Sequence, residues 1–146
     1  MGRDDPRGHT GSRSARRRSK PSSIEGPFIA HRLEMLESDA WAALPLAARR
    51  VLDRLEVEQA NHGGKENGNL ICTYGDFERF GIRRPSISAA IRLLEGVGLL
   101  EVTTRGRGGN SEFRTPSRYR LTYLPTPNAR STDEWRAGSG RAWWRW

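Results

Sequence analysis

Between Ile87 and Val102 the apolar rhythm of the chain changes period. Ile87, Ala90, Ile91 and Leu94 recur at the spacing of one helix face, and Gly96 and Gly98 then interrupt the pattern. Beyond them Leu100, Val102 and Thr104 alternate with Glu101, Thr103 and Arg105. A helical stripe, a glycine stop and a strand stripe in immediate succession predict a helix that turns sharply into a β-strand. A second alternating run, Tyr119, Leu121 and Tyr123 against Arg118, Arg120 and Thr122, predicts its antiparallel partner, with one buried and one polar face. The connection Gly106-Arg107-Gly108-Gly109-Asn110 carries no apolar side chain and reads as a cationic hairpin tip, followed by Phe113, Arg114 and Pro116. The expected fold class is α+β.

Upstream the pattern is helical. Leu33, Leu36, Trp41 and Leu44 form a short apolar set, with Ser38 and Asp39 as candidate caps and Pro45 suited to the first turn of the next helix. That helix is expected over 45–60, with Leu46, Val51, Leu52, Leu55 and Val57 at helical spacing, ended by His62-Gly63-Gly64. Asn67-Gly68 marks a turn, and Leu70-Ile71-Cys72 is a short run able to pair as a strand. Thr73 with Asp76 three residues on approximates a capping box, opening a short helix with Phe77 and Phe80 inward and Gly81 as its stop. After Ile82-Arg83-Arg84, Pro85 and Ser86 start the helix that carries Ile87 to Leu94.

The outward side of that last helix is unusual. Pro85, Ser88, Ala89 and Arg92 lie opposite the apolar stripe, so the exposed side chains near its start are small and are flanked by Arg83, Arg84 and Arg92. A helix that only needs solubility carries Glu and Lys there. Small residues with arginines at the margins allow a helix to sink into a groove.

Charge points the same way. The net charge is +8 with a pI near 10.9, which attracts polyanions but says nothing of fold. Residues 27–78 carry five Lys/Arg against nine acids, whereas 79–124 carry nine against three. A basic second half suggests one face that meets phosphate. Of the 25 cations only Lys20 and Lys65 are lysines, and arginine is the better bidentate ligand of phosphate and base edges. The apolar fraction of 35% is below that of an ordinary globular chain, so part of the length is expected outside any core. Residues 1–26 read as a disordered basic arm containing Arg16-Arg17-Arg18-Ser19-Lys20. Residues 27–124 read as one domain, and 125–146 as a disordered tail ending Trp143-Trp144-Arg145-Trp146.

The order helix, short strand, helix, tight turn, helix, strand, glycine-rich tip, strand over roughly 45–124 resembles a winged helix-turn-helix domain. Thr73 to Arg84 resembles its second helix and turn. Ser86 to Glu95, with the Leu94–Leu100 hinge, resembles a recognition helix running into the wing. The likeness is to short helix-turn-helix proteins of arginine-rich alphaproteobacteria and to plasmid and phage replication-initiator domains. It implies a three-helix core with a small β-wing, binding double-stranded DNA as a transcriptional regulator or a replication or partition factor. It also implies that Arg83, Arg84, Ser86, Ser88, Ala89 and Arg92 lie nearest the bases. Thr73 and Tyr74 would hold a phosphate, and Arg105, Arg107 and Arg114 would flank the backbone or minor groove. A lone reading helix favours a homodimer on a two-fold site.

Enzyme chemistry is not expected. His9, His31 and His62 lie in separate segments, and the single cysteine, Cys72, sits in an apolar run as a small core residue. One cysteine forms no internal disulfide. The glycine-rich tip lacks the lysine and following helix of a phosphate-cradling loop. No cofactor, metal or small-molecule ligand is expected, and no membrane partner, since no apolar stretch approaches a span and no secretory signal is present. The expected location is the cytoplasm, with the nucleoid. Two other functions fit the composition: a protein-interaction module docking through an acidic first helix (Asp53, Glu56, Glu58), and an RNA or single-strand binder using Trp143, Trp144 and Trp146 as stacking platforms.

Overall fold

A computed structural model describes residues 24–108 and 115–140. The described chain is α+β. Five helices, α1 (Leu33–Leu36), α2 (Asp39–Ala42), α3 (Leu46–Asn61), α4 (Tyr74–Arg79) and α5 (Arg84–Val97), accompany an antiparallel sheet of β1 (Leu70–Ile71), β2 (Leu100–Thr104) and β3 (Arg118–Leu121). A 3-10 helix, Glu134–Gly140, follows. The strand order is β1-β3-β2. Leu70 pairs with Tyr119, while Leu100, Glu101 and Val102 pair with Leu121, Arg120 and Tyr119, with a register shift before Thr104.

Local chemistry accounts for most of the boundaries. Ser38 caps α2 by accepting from the Trp41 N–H at 3.2 Å. The helix α3 begins directly after Pro45 and ends at His62, where Gly63 and Gly64 take left-handed backbone (φ 66° and 73°) that side-chain-bearing residues avoid. The end of α5 is Gly98, left-handed at φ 82°. Asn67 does more than turn the chain. Its Oδ1 accepts from the Leu121 N–H and its Nδ2 donates to the carbonyls of Leu121, Leu124 and Pro125, so the side chain acts as an extra rung beside β1.

The core joins α3 and α5 to the sheet. Ala48, Val51, Leu52 and Leu55 of α3 meet Ile87, Ala90, Ile91, Leu94 and Val97 of α5, with Leu70, Phe77, Leu99, Tyr119 and Leu121 closing it. Phe77 and Tyr119 meet edge to face at 6.1 Å. Two residues expected in the apolar stripe of α3, Leu46 and Val57, are exposed instead, because both fall outside the 48/51/52/55/59 row. Phe80, expected inward, is also exposed: α4 stops at Arg79, and Phe77 alone fills the interior position. On α1 it is Met35 that is buried, while Leu33 and Leu36 face solvent. Tyr123 lies beyond the end of β3 and turns inward.

The largest departure lies after Leu124, where a disordered tail was expected. Trp135 is 4% exposed, and the backbone N–H groups of Thr132 and Asp133 both donate to the Thr122 carbonyl. A large apolar side chain with backbone partners offsets the entropy of ordering a segment. The contact is close at Gly98, where a Cβ would stand 2.6 Å from the Glu134 carbonyl carbon. Arg32 pairs with Asp133 and Arg136 with Glu34, so this segment fastens the N-terminal helices to the body. Among the described residues no helix is long and apolar enough to cross a membrane.

Candidate nucleic-acid interface

The surface is built outward from α4, the turn, α5 and the loop after β2. Ile87, Ala90, Ile91, Leu94 and Val97 anchor α5 in the core. The 100° step of the helix therefore turns Pro85, Ser88, Ala89 and Arg92 to solvent, and all four are exposed. Ser86 is half-buried, and its N–H bonds the Arg83 carbonyl at 2.9 Å. Arg83, the residue before the helix, is exposed.

A second zone adjoins the first. An open cleft of about 680 Å³ is lined by Thr73, Tyr74, Arg84 and Arg107, with Gly106 and Ser117 among its walls. Gly106 is required there: its N–H bonds the Ser117 hydroxyl at 2.9 Å, and a Cβ would lie 2.5 Å from the Thr115 carbonyl oxygen. The backbone N–H of Arg107 donates to that carbonyl at 3.0 Å. Thus the structure brings Thr73, Tyr74, Arg84 and Arg107 around one cleft. Arg83, Ser86, Ser88, Ala89 and Arg92 belong to α5 and its approach. Arg105 sits beside Glu95 of α5, outside the cleft lining. Arg114 lies outside the described residues.

Not all of these groups are available. The Thr73 N–H and hydroxyl both donate to Asp76 at 2.8 Å, and its oxygen accepts from the Asp76 N–H at 3.1 Å. The capping box expected from sequence is formed, and it occupies the atoms expected to hold a phosphate. The Thr73 backbone hydrogen bond, more than any other contact, holds the Asp76 carboxyl below the usual range. Arg84 pairs with Glu78 at 3.2 Å and lies 5.7 Å from the centre of the half-buried Tyr74 ring. Arg105 pairs with Glu95 at 3.0 Å. Among the described residues, no side-chain hydrogen bond or ion pair engages the guanidinium groups of Arg83, Arg92 or Arg107.

Sequence reasoning missed the acids Glu78 and Glu95 on this surface. The Glu78–Arg84 pair spans a turn and Glu95–Arg105 spans a helix end, so neither has the i, i+4 spacing by which helix pairs are recognised. Three other readings can be placed. Cys72 is 1% exposed and burial pushes its thiol up to about 12, as a core residue requires. Of the three acids of α3, Asp53 is half-buried. Glu56 is 4% exposed and accepts from His31 at 2.6 Å and Tyr123 at 2.5 Å, and Glu58 pairs with Arg54 at 3.0 Å. Trp143, Trp144 and Trp146 lie outside the described residues, as do Arg16 to Lys20. Among the described residues no group of three His, Cys, Asp or Glu is placed to hold a metal ion. No family model, no curated protein and no solved structure matches this chain.

Proposed function

We propose that the chain binds double-stranded DNA and reads its sequence, with α3, α4 and α5 as the helical core of a winged helix and the β2–β3 connection as the wing. One observation carries the reading. The exposed row of α5 is made of small side chains, Ser88 and Ala89, bordered by Arg83 and Arg92, whose guanidinium groups are unpaired among the described residues. A major groove about 12 Å wide admits a helix, and short outward side chains let its backbone approach the base edges closely. The adjacent cleft carries Arg84 and Arg107, and in this reading it takes a phosphate strand bordering that groove. In this reading Arg83 and Arg92 reach base edges or phosphates, Ser88 accepts or donates to several edges, and the Ala89 methyl meets a thymine methyl. The biological role is transcriptional regulation, or replication or partition of a mobile element, by a homodimer on a two-fold site.

The same observations weigh against docking through α3, whose Glu56 is interior. A gel shift with random-sequence duplex at low salt is the first test, and its absence returns the protein-interaction reading. With about five phosphates engaged, log affinity falls with log salt at a slope of about −4 to −5. Replacing Arg83, Arg84 and Arg92 together by Ala lowers affinity at least tenfold, taking about 1–3 kcal/mol for each good arginine contact. Retention of tight binding removes α5 from the role. Selection of bound sites from a random duplex pool gives the target, and a palindromic product gives the stoichiometry.

A further inference from the structure

We propose that Glu78 and Glu95 are specificity-determining residues: in the free protein their carboxylates hold Arg84 and Arg105, and a phosphate correctly placed by a matching duplex displaces them. The inference rests on the DNA-binding reading and deepens it, because it divides the arginines of the surface into two kinds.

The first kind, Arg83, Arg92 and Arg107, is unpaired among the described residues and supplies attraction to any duplex. The second kind is held. Glu78 reaches from α4 across the turn to Arg84, Oε2 to Nη1 at 3.2 Å. Glu95 places both carboxylate oxygens on Arg105 Nη2, at 3.0 and 3.2 Å, joining α5 to the end of β2. Both arginines remain open to water, with side chains 59% and 72% exposed. Ion pairs this exposed contribute little to folding, so their presence is not explained by stability. They are weak enough to exchange. A phosphate offers charge-assisted hydrogen bonds at least as strong as those of the carboxylate it replaces.

The exchange has a geometric condition. Arg84 lines the cleft together with Arg107 and Tyr74, so a phosphate in the cleft lies within its reach, whereas one elsewhere leaves it on Glu78. A mispositioned backbone finds both arginines occupied, and withholding a contact from the wrong complex is a source of discrimination.

The experiment uses the full chain and the substitutions Glu78→Gln and Glu95→Gln, both at surface side chains and both nearly isosteric. Fluorescence anisotropy is recorded on the pool-selected duplex and on random duplex, from about 50 to 200 mM salt. Each substitution is expected to tighten random duplex by about 3–10-fold while changing the selected duplex by less than about twofold, as expected of a charge-assisted pair worth roughly tenfold or less. The salt slope on random duplex steepens by about 0.9, the signature of one more phosphate contact. In an Arg84→Ala background the gain from Glu78→Gln disappears. Equal gains on both duplexes, a gain that survives Arg84→Ala, or no gain at all overturns the inference while leaving DNA binding standing. Failure of the unsubstituted protein to bind any duplex at low salt overturns the functional reading and this inference with it. Glu78→Ala supplies the same readout without an amide, and thermal melting shows that each variant is folded.

Discussion

The two ends of α5 use the same side chain in opposite ways. At its C-terminal end, Arg120 contacts Glu101 and Glu134 at 2.5 and 2.9 Å and the Thr132 hydroxyl at 2.6 Å, with its side chain only 14% exposed. Arg32 and Arg136 tie Asp133 and Glu34 across the molecule. At its N-terminal end Arg84 meets one exposed acid, and Arg83 has no side-chain partner among the described residues; Arg92, in the second half of the helix, likewise has none. A guanidinium with acceptors on several segments joins them together. One with a single acceptor or none is available to a ligand. Net charge cannot distinguish these roles, because every guanidinium counts the same toward the +8 of the chain whether or not it is paired.

That contrast is open to direct attack. The largest effect belongs to Trp135→Ala, which removes the apolar anchor beneath the C-terminal staples. Loss of a buried tryptophan costs about 3–5 kcal/mol, read as a shift in the urea midpoint, and an unchanged midpoint dismisses the segment as part of the body. Glu56→Ala comes next. It strands the His31 imidazole and the Tyr123 hydroxyl, whose ionisation burial already disfavours strongly, at about 1–3 kcal/mol for each unsatisfied group.

Smaller, but more informative, is a pair of substitutions. Arg120→Ala should lower stability by about 1.5 kcal/mol, the scale of a charge-assisted hydrogen bond, and leave duplex affinity unchanged. Arg83→Ala should leave stability within about 0.5 kcal/mol and weaken the duplex complex. Reversal of either result ends the distinction between the two ends.

The smallest effect is the dependence on pH. Burial alone would raise the carboxyls of Asp133 and Glu134. For Asp133, hydrogen bonds from Arg32 and Trp135 outweigh burial, and for Glu134 those from Thr132 and Arg120 do, so both lie below their usual range. A carboxyl depressed on folding contributes stability above its unfolded value of about 4, and that contribution is lost as pH falls through the folded value. Urea midpoints measured from pH 7 down to 3 should therefore decline below about pH 4. Arg120→Ala should flatten the decline.

The path from α3 to β3 was legible because each boundary has a chemical marker close in sequence. Gly63-Gly64, the Thr73–Asp76 box, Pro85 and Gly98 act within three or four positions of the residues they constrain. The outward row of α5 followed from its buried stripe in the same way. What was not legible depends on distance. Trp135 is one tryptophan in a polar stretch, and nothing near it in sequence announces that Gly98 leaves room for its backbone. Thr73 could be read as a helix cap or a phosphate ligand, and only the geometry of Asp76 decides that its donors are already engaged. Nothing in the spacing of Glu78 and Glu95 announces that the turn and the strand carry Arg84 and Arg105 to them. Leu46, Val57 and Phe80 show the remaining limit: apolar residues one step off a stripe face water at little cost.

The hydrogen bond from Arg32 to Asp133 closes a loop of 101 residues. The entropy of such closure rises only slowly with length, yet it must be lost before the contact returns anything. Closing so remote a contact early is costly, so this ion pair is expected to form after the rate-limiting structure. Substitutions that cut this lacing should therefore accelerate unfolding and leave the refolding rate untouched, so that the two ends of the chain set how long the folded protein lasts rather than how quickly it is made.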